Sequence, residues 1–198
     1  MHRTISPEAI ESLENWLRDV FCGLERKSRG PMVDHSLRVG RMLHKHDHDP
    51  VTVFAGYTQD VLEDTDVTID ELLDVAVMTL GVEELAVDAV SLVVECSYMP
   101  DEYALPKKER KAAASARWIA HEDPRVQIVK VYDVNDNEAD AIMVSERFRM
   151  EYLEWAAPLR EGLIEKLSMR NVVILRQPDL IDSPYAHVSY VPHGPYGS

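Results

Sequence analysis

Only two cysteines, Cys22 and Cys96, occur in the 198 residues, and neither has a close-spaced partner. That excludes a zinc ribbon and a disulfide framework, and both are expected as reduced core thiols. Long hydrophobic runs are missing too. The most apolar stretch, LAVDAVSLVV, is short and interrupted by Asp88, and no opening segment joins a basic start to an apolar run. The expectation is a soluble, cytoplasmic protein with no membrane partner. Lys and Arg are absent from His46 to Pro106, where 15 of the 35 acids fall. With a net charge of -14, the chain lacks the basic footprint that displaces counterions from nucleic-acid phosphates, so no nucleic-acid partner is expected. Internal repeats are absent as well.

What is present is enough apolar sequence, 45%, for one buried core. A single domain over 1–176 is expected, followed by an irregular tail over 177–198 that is rich in Pro and Gly. Ten of the 21 basic residues form two clusters, Arg26 to Arg41 and Lys107 to Arg117, that flank the acidic block. A site that holds a cation at an acidic centre and an anion at basic edges produces this pattern. Segregation on a solvated surface produces it equally well, and charge alone leaves both open.

The periodicity predicts an all-α chain. Ser6 and Pro7 open a helix whose apolar positions run from Ile10 to Leu24, and a second is expected from Met32 to about Lys45. Asp49 and Pro50 open a third, expected to continue through Val61 and Leu62 into the acidic run QDVLEDT, residues 59 to 65. Thr68 and Glu71 form a capping box for a helix that closes at Gly81, and residues 83–97 read as a buried helix. A loop through Pro100 and Pro106 leads to the helical KKERKAAASARWIA. From Pro124 the signals conflict. β-branched residues suggest a strand, whereas Val126, Val129, Asp133 and Asn137 share a helical face, and helix is the reading adopted. A last helix spans roughly Ser145 to Met169 with Pro158 inside it, and NVVIL reads as a short strand.

On one helix, Gln59, Asp60, Glu63 and Asp64 share a side. A divalent metal in a hydrolase needs imidazole or carboxylate ligands converging from separate helices, and His35, Asp60 and Asp133 are such candidates. Singly, each has a plain structural explanation. His44 and His46 cannot join His35 on one ion, the first being half a turn round the helix and the second roughly 16 Å along it. The tract HKHDHD reads as a solvated helix end, and His121, His187 and His193 as surface residues.

The runs RKSRGPMVDHSLRV, AGYTQDVLEDTDVTIDEL, LPKKERK, VKVYDVNDN and EYLEWA, in this order, resemble the metal-dependent HD hydrolases of the RelA/SpoT type, in particular the small alarmone hydrolases. The resemblance covers roughly residues 10 to 165. It implies an HD-domain helical bundle that uses manganese, or another divalent ion, to remove the 3′-pyrophosphate from ppGpp and pppGpp. It implies His35, Asp60 and Asp133 as metal ligands, and Glu63 and Asp64 as the pair that positions or deprotonates the attacking water. Arg26, Lys27 and Lys107 are implied as phosphate binders, and Asn137 and Tyr152 as nucleotide contacts. The arginine expected one turn before Tyr152 is replaced by Phe148, between Arg147 and Arg149.

The family's His-Asp pair is Gln59-Asp60 here. As a neutral amide, Gln59 is a poorer ligand than imidazole, so weak metal binding is expected. Three functions remain open: an alarmone hydrolase, a non-catalytic relative that binds a nucleotide or a protein, and an HD phosphohydrolase acting on another nucleotide such as an adenine alarmone or NADPH. The sequence leaves the oligomeric state open.

Overall fold

In the computed structural model, residues 4–27, 30–170, 173–175 and 187–189 are described, the last two segments and residues 142 and 143 by their backbone only. Among them are ten helices: α1 (Pro7–Val20), α2 (Met32–Lys45), α3 (Pro50–Thr58), α4 (Val61–Asp64), α5 (Ile69–Leu80), α6 (Glu83–Cys96), α7 (Pro100–Tyr103), α8 (Lys107–Ala120), α9 (Pro124–Val144) and α10 (Glu146–Met169). The expected all-α class holds. A two-stranded antiparallel ladder, β1 (Val173–Leu175) with β2 (His187–Ser189), follows the last helix. Its first strand falls within NVVIL. Its second is the one described piece of the expected irregular tail, the remainder of which lies outside the described residues. No helix among the described residues is long and apolar enough to cross a membrane.

Local chemistry sets most boundaries. The Ser6 side chain accepts from the Ala9 N–H at the start of α1, and Asp49 accepts from Val51 and Thr52 at the start of α3. Thr68 and Glu71 cap α5 reciprocally, and Gly81 ends it at φ 67° in the left-handed region. Two expectations need correction. The third helix does not run on into QDVLEDT: α3 stops at Thr58, Asp60 takes φ -94°, ψ -6°, and α4 restarts at Val61. The loop between Pro100 and Pro106 contains the single-turn helix α7.

Helix α9 runs through the centre of the bundle against α2, α3, α6, α8 and α10. Val126, Ile128, Val129, Val131, Tyr132 and Val134 are all buried, so the helix is apolar on every side and shows no single stripe. This is why its sequence looked like a strand. The α2–α3 contact is as close as backbones allow. A Cβ on Gly40 would lie 2.1 Å from the Tyr57 ring, and one on Gly56 would lie 2.1 Å from Leu43 Cδ1. Gly40→Ala is therefore expected to force the helices apart and cost about 1–3 kcal/mol, read as a lowered urea midpoint. An unchanged midpoint would show that the contact has slack.

Three sequence readings are revised by the packing. Cys22 is exposed and only Cys96 is buried, because α1 ends at Val20, before Cys22. The HKHDHD tract is not a purely solvated helix end: half-buried His46 and His48 both reach the Tyr132 hydroxyl, at 2.6 and 3.2 Å. His121 is half-buried too, with Nε2 3.3 Å from Glu95. The side chains of His187 and His193 lie outside the described residues.

Candidate active site

Three elements deliver the centre of the site. The first turn of α2 presents His35, the α3–α4 break presents Asp60, and the middle of α9 presents Asp133. The His35 side chain is 1% exposed. Its Nε2 lies 3.2 Å from Asp60 Oδ2 and 3.2 Å from Asp133 Oδ1, while its Nδ1 lies 2.6 Å from Asp136 Oδ2. Burial by itself would lower the imidazole pKa, but the hydrogen-bonded carboxylates of Asp133, Asp136 and Asp60 hold it well above the ordinary value. Asp133 is likewise buried, yet Lys130 and His35 hold it below the usual carboxylate range.

Beside this centre is a cleft of about 400 Å³. Asp60, Glu63 and Asp64 line it together, so the break between α3 and α4 still gathers the acids on one wall. Burial, with a smaller contribution from Asp60, pushes Glu63 up to about 7, Lys130 opposing it. Burial and the Asp60 charge likewise push Asp64 up to about 6. Glu63 Oε1 is held by the Tyr98 N–H at 3.0 Å. Gln59 parts company with its neighbours. It is 1% exposed and does not line the cleft, its Oε1 lies 3.4 Å from Lys130 Nζ, and its Nε2 is buried without a hydrogen-bond partner.

The cleft is also lined by basic and aromatic residues. Arg26 and Lys27 line it, with the Lys27 ammonium 5.5 Å from the centre of the Phe148 ring. Asn137 and Tyr152 also line it. Asn137 Nδ2 donates to the Asp133 backbone oxygen at 3.0 Å, and its Oδ1 accepts from Arg26; the Tyr152 hydroxyl donates to the Val134 oxygen at 3.1 Å. Lys107 is exposed and does not reach the lining. Lys111, one turn further along α8, does, with its ammonium 3.9 Å from the centre of the Trp155 ring. The arginines beside Phe148 turn elsewhere, Arg147 to Glu151 and Arg149 to Glu146.

Sequence reasoning missed Lys130, Asp136 and Lys111. Lys130 Nζ sits 3.0 Å from Asp133 Oδ2 and 4.5 Å from the centre of the Trp118 ring, with 5% of the residue exposed. Residues 130, 133 and 136 follow one another at helical i, i+3 spacing, a visible signal that was read only for its 133–137 pair.

The donors fit a divalent ion. With metal–ligand bonds of about 2.0–2.2 Å, neighbouring ligands of one ion stand roughly 3.0–3.5 Å apart. The two 3.2 Å separations from His35 Nε2 agree. Among the described residues no group of three or more His, Cys, Asp or Glu side chains is arranged to hold a metal ion as it stands, and His35 Nε2 is within hydrogen-bond distance of both Asp60 and Asp133. One imidazole with two carboxylates is a set that borderline divalent ions accept, and the Lys130 charge against Asp133 weakens it.

No protein-family model matches the chain. A guanosine-3′,5′-bis(diphosphate) 3′-pyrophosphohydrolase of Mus musculus is 33% identical over 142 residues, 67% of this chain and 71% of that protein. A GTP pyrophosphokinase of Streptomyces antibioticus is 30% identical over 160 residues, 79% of this chain but only 18% of that much longer protein. A solved structure described as a metazoan orthologue of SpoT that hydrolyses ppGpp superimposes with a TM-score of 0.63, covering 86% of this chain and 100% of that one. At 21% identity the likeness is one of fold. Together with the convergence of His35, Asp60 and Asp133, the mouse relative shows that the chain belongs to the HD-domain small alarmone hydrolase family, with Gln-Asp where the family has His-Asp.

Proposed function

We propose that this protein hydrolyses ppGpp and pppGpp at the 3′ position, giving GDP or GTP and pyrophosphate, in the cytoplasm and with manganese as the ion. The observation that carries the reading is a single cleft lined by Asp60, Glu63, Asp64 and Asp133 together with Arg26, Lys27 and Lys111, with buried His35 3.2 Å behind Asp60 and Asp133. His35, Asp60 and Asp133 would hold the ion, which when bound would supply positive charge to polarise a phosphoryl oxygen and make water a better nucleophile.

The chain's own residues do the rest. Arg26, Lys27 and Lys111 bind the pyrophosphate and offset its charge, and Tyr152 and Asn137 orient the nucleotide. Asp64 takes a proton from the attacking water. Glu63 gives one to the ribose 3′ oxygen as its bond to phosphorus breaks. The overall acidity of the protein is no obstacle, because the anion is met locally.

A second reading, a nucleotide-binding relative without turnover, is favoured by one observation: Gln59 faces Lys130 rather than the cleft. One assay separates the two. Manganese-saturated native protein should release pyrophosphate from ppGpp, and Asp60→Ala should abolish release. Silence of the native protein together with turnover by Gln59→His would establish the binding reading. Running adenine alarmones and NADPH in the same assay tests the substrate, since no residue of the cleft identifies the base.

A further inference from the structure

With Gln59 outside the cleft, His35 is the one imidazole in the set of donors, and its orientation matters correspondingly more. Its second nitrogen is not left to solvent. Nδ1 lies 2.6 Å from Asp136 Oδ2, and the Asp136 side chain is 1% exposed. Asp136 is itself fixed. Arg38 donates to it through Nε at 2.7 Å and through Nη2 at 2.8 Å, a two-pronged grip that sets the plane of the carboxylate. Arg38 also reaches Asp140 at 3.0 Å, and Arg26 on the cleft wall holds the other oxygen of Asp140 at 2.9 Å. The chain of contacts therefore runs from a cleft-wall cation to the buried face of the imidazole.

We propose that Asp136 is a positioning residue for the metal site: it accepts from His35 Nδ1 and so leaves Nε2 as the nitrogen turned toward an ion between Asp60 and Asp133. The inference rests on the metal-dependent reading above. A carboxylate behind an imidazole fixes its tautomer and makes its free nitrogen a better donor, and losing such a partner costs about 10–100-fold in metal affinity. A merely structural Asp136 would need only Arg38. The short contact to Nδ1 is what singles it out. Position 136 is reached from position 133 by i, i+3 spacing on α9, so one helix supplies both a ligand and the group that orients another.

The experiment is a calorimetric titration of the full chain with Mn²⁺, paired with ¹⁵N NMR of the His35 ring in Zn²⁺-loaded protein, Zn²⁺ being diamagnetic. Asp136→Asn is expected to bind Mn²⁺ about 10–100-fold more weakly, because its amide can donate to Nδ1 and drive the proton to Nε2. Asp136→Glu should recover part of the loss. In the native protein the Nδ1 proton should be strongly hydrogen-bonded, and in Asp136→Asn that hydrogen bond should be weakened in the loaded protein and the proton should move to Nε2 in the metal-free protein. Unchanged Mn²⁺ affinity in a folded Asp136→Asn would overturn the proposal while leaving the hydrolase reading intact. If that variant does not fold, a native His35 carrying its proton on Nε2, or none on Nδ1, overturns it alone. Native protein that binds neither ion overturns the hydrolase reading and the proposal together.

Discussion

Asp133→Ala should lose pyrophosphate release and stability together, whereas Asp60→Ala should lose release alone. Both residues meet His35 Nε2 at 3.2 Å, and either loss removes a proposed metal ligand. A drop of about 10³-fold or more in turnover is expected for each, at roughly 1.4 kcal/mol per factor of ten. Their surroundings differ. Asp133 is also the partner of buried Lys130, at 3.0 Å, and accepts from the Asn137 amide at 2.5 Å. Removing it takes the nearest carboxylate from an ammonium that is 5% exposed and leaves it the more distant Asp60 and Glu63, a loss of up to about 3 kcal/mol. Asp60 has 18% of its side chain exposed and stands among other acids, so its removal also relieves repulsion on Glu63 and Asp64. Urea unfolding of the metal-free variants checks this. Equal midpoints for the two would mean that Lys130 does not depend on Asp133.

Glu63→Gln should stabilise the metal-free protein at pH 8 and have little effect at pH 5. Burial raises the Glu63 pKa from 4.5 to about 7, so between these values the folded state binds more protons than the unfolded one. Stability from this group is therefore full below about pH 4.5 and is lost as the pH climbs through 7. Two and a half pH units correspond to about 3 kcal/mol, and allowing for the partial exposure of the side chain leaves on the order of 2 kcal/mol. The glutamine keeps an oxygen for the Tyr98 N–H and carries no charge to bury. Chelator-treated native and variant proteins, melted across pH 5 to 8, give the difference directly. A constant offset across that range would show that Glu63 titrates as an ordinary surface acid. The same stored cost is what an ion in the cleft would release, which ties the instability of the empty site to its capacity to bind a cation.

The local codes in the sequence were sufficient for several helix starts. Ser6, Asp49, Thr68 with Glu71, and Gly81 act within a turn of their own position, so the starts of α1, α3 and α5 and the close of α5 could be read one residue at a time. The resemblance implied the participants at the site, and the fold lines one cleft with Asp60, Asp133, Glu63, Asp64, Arg26, Lys27, Asn137 and Tyr152, with His35 buried behind Asp60 and Asp133. What the sequence could not decide depends on neighbours far along the chain. The break after Thr58 separates Gln59 from Asp60, so that adjacent residues face a buried lysine and the open cleft respectively. Lys107 and Lys111 are equally basic in sequence, and only the packing of α8 against α10 decides which one meets Trp155. Asp136 is an ordinary acid until α2 brings His35 against it across 101 residues. Hydrogen bonds within a turn are written in the local sequence, whereas the field around a buried charge is the sum over every element packed on it, and that sum exists only once the bundle has closed.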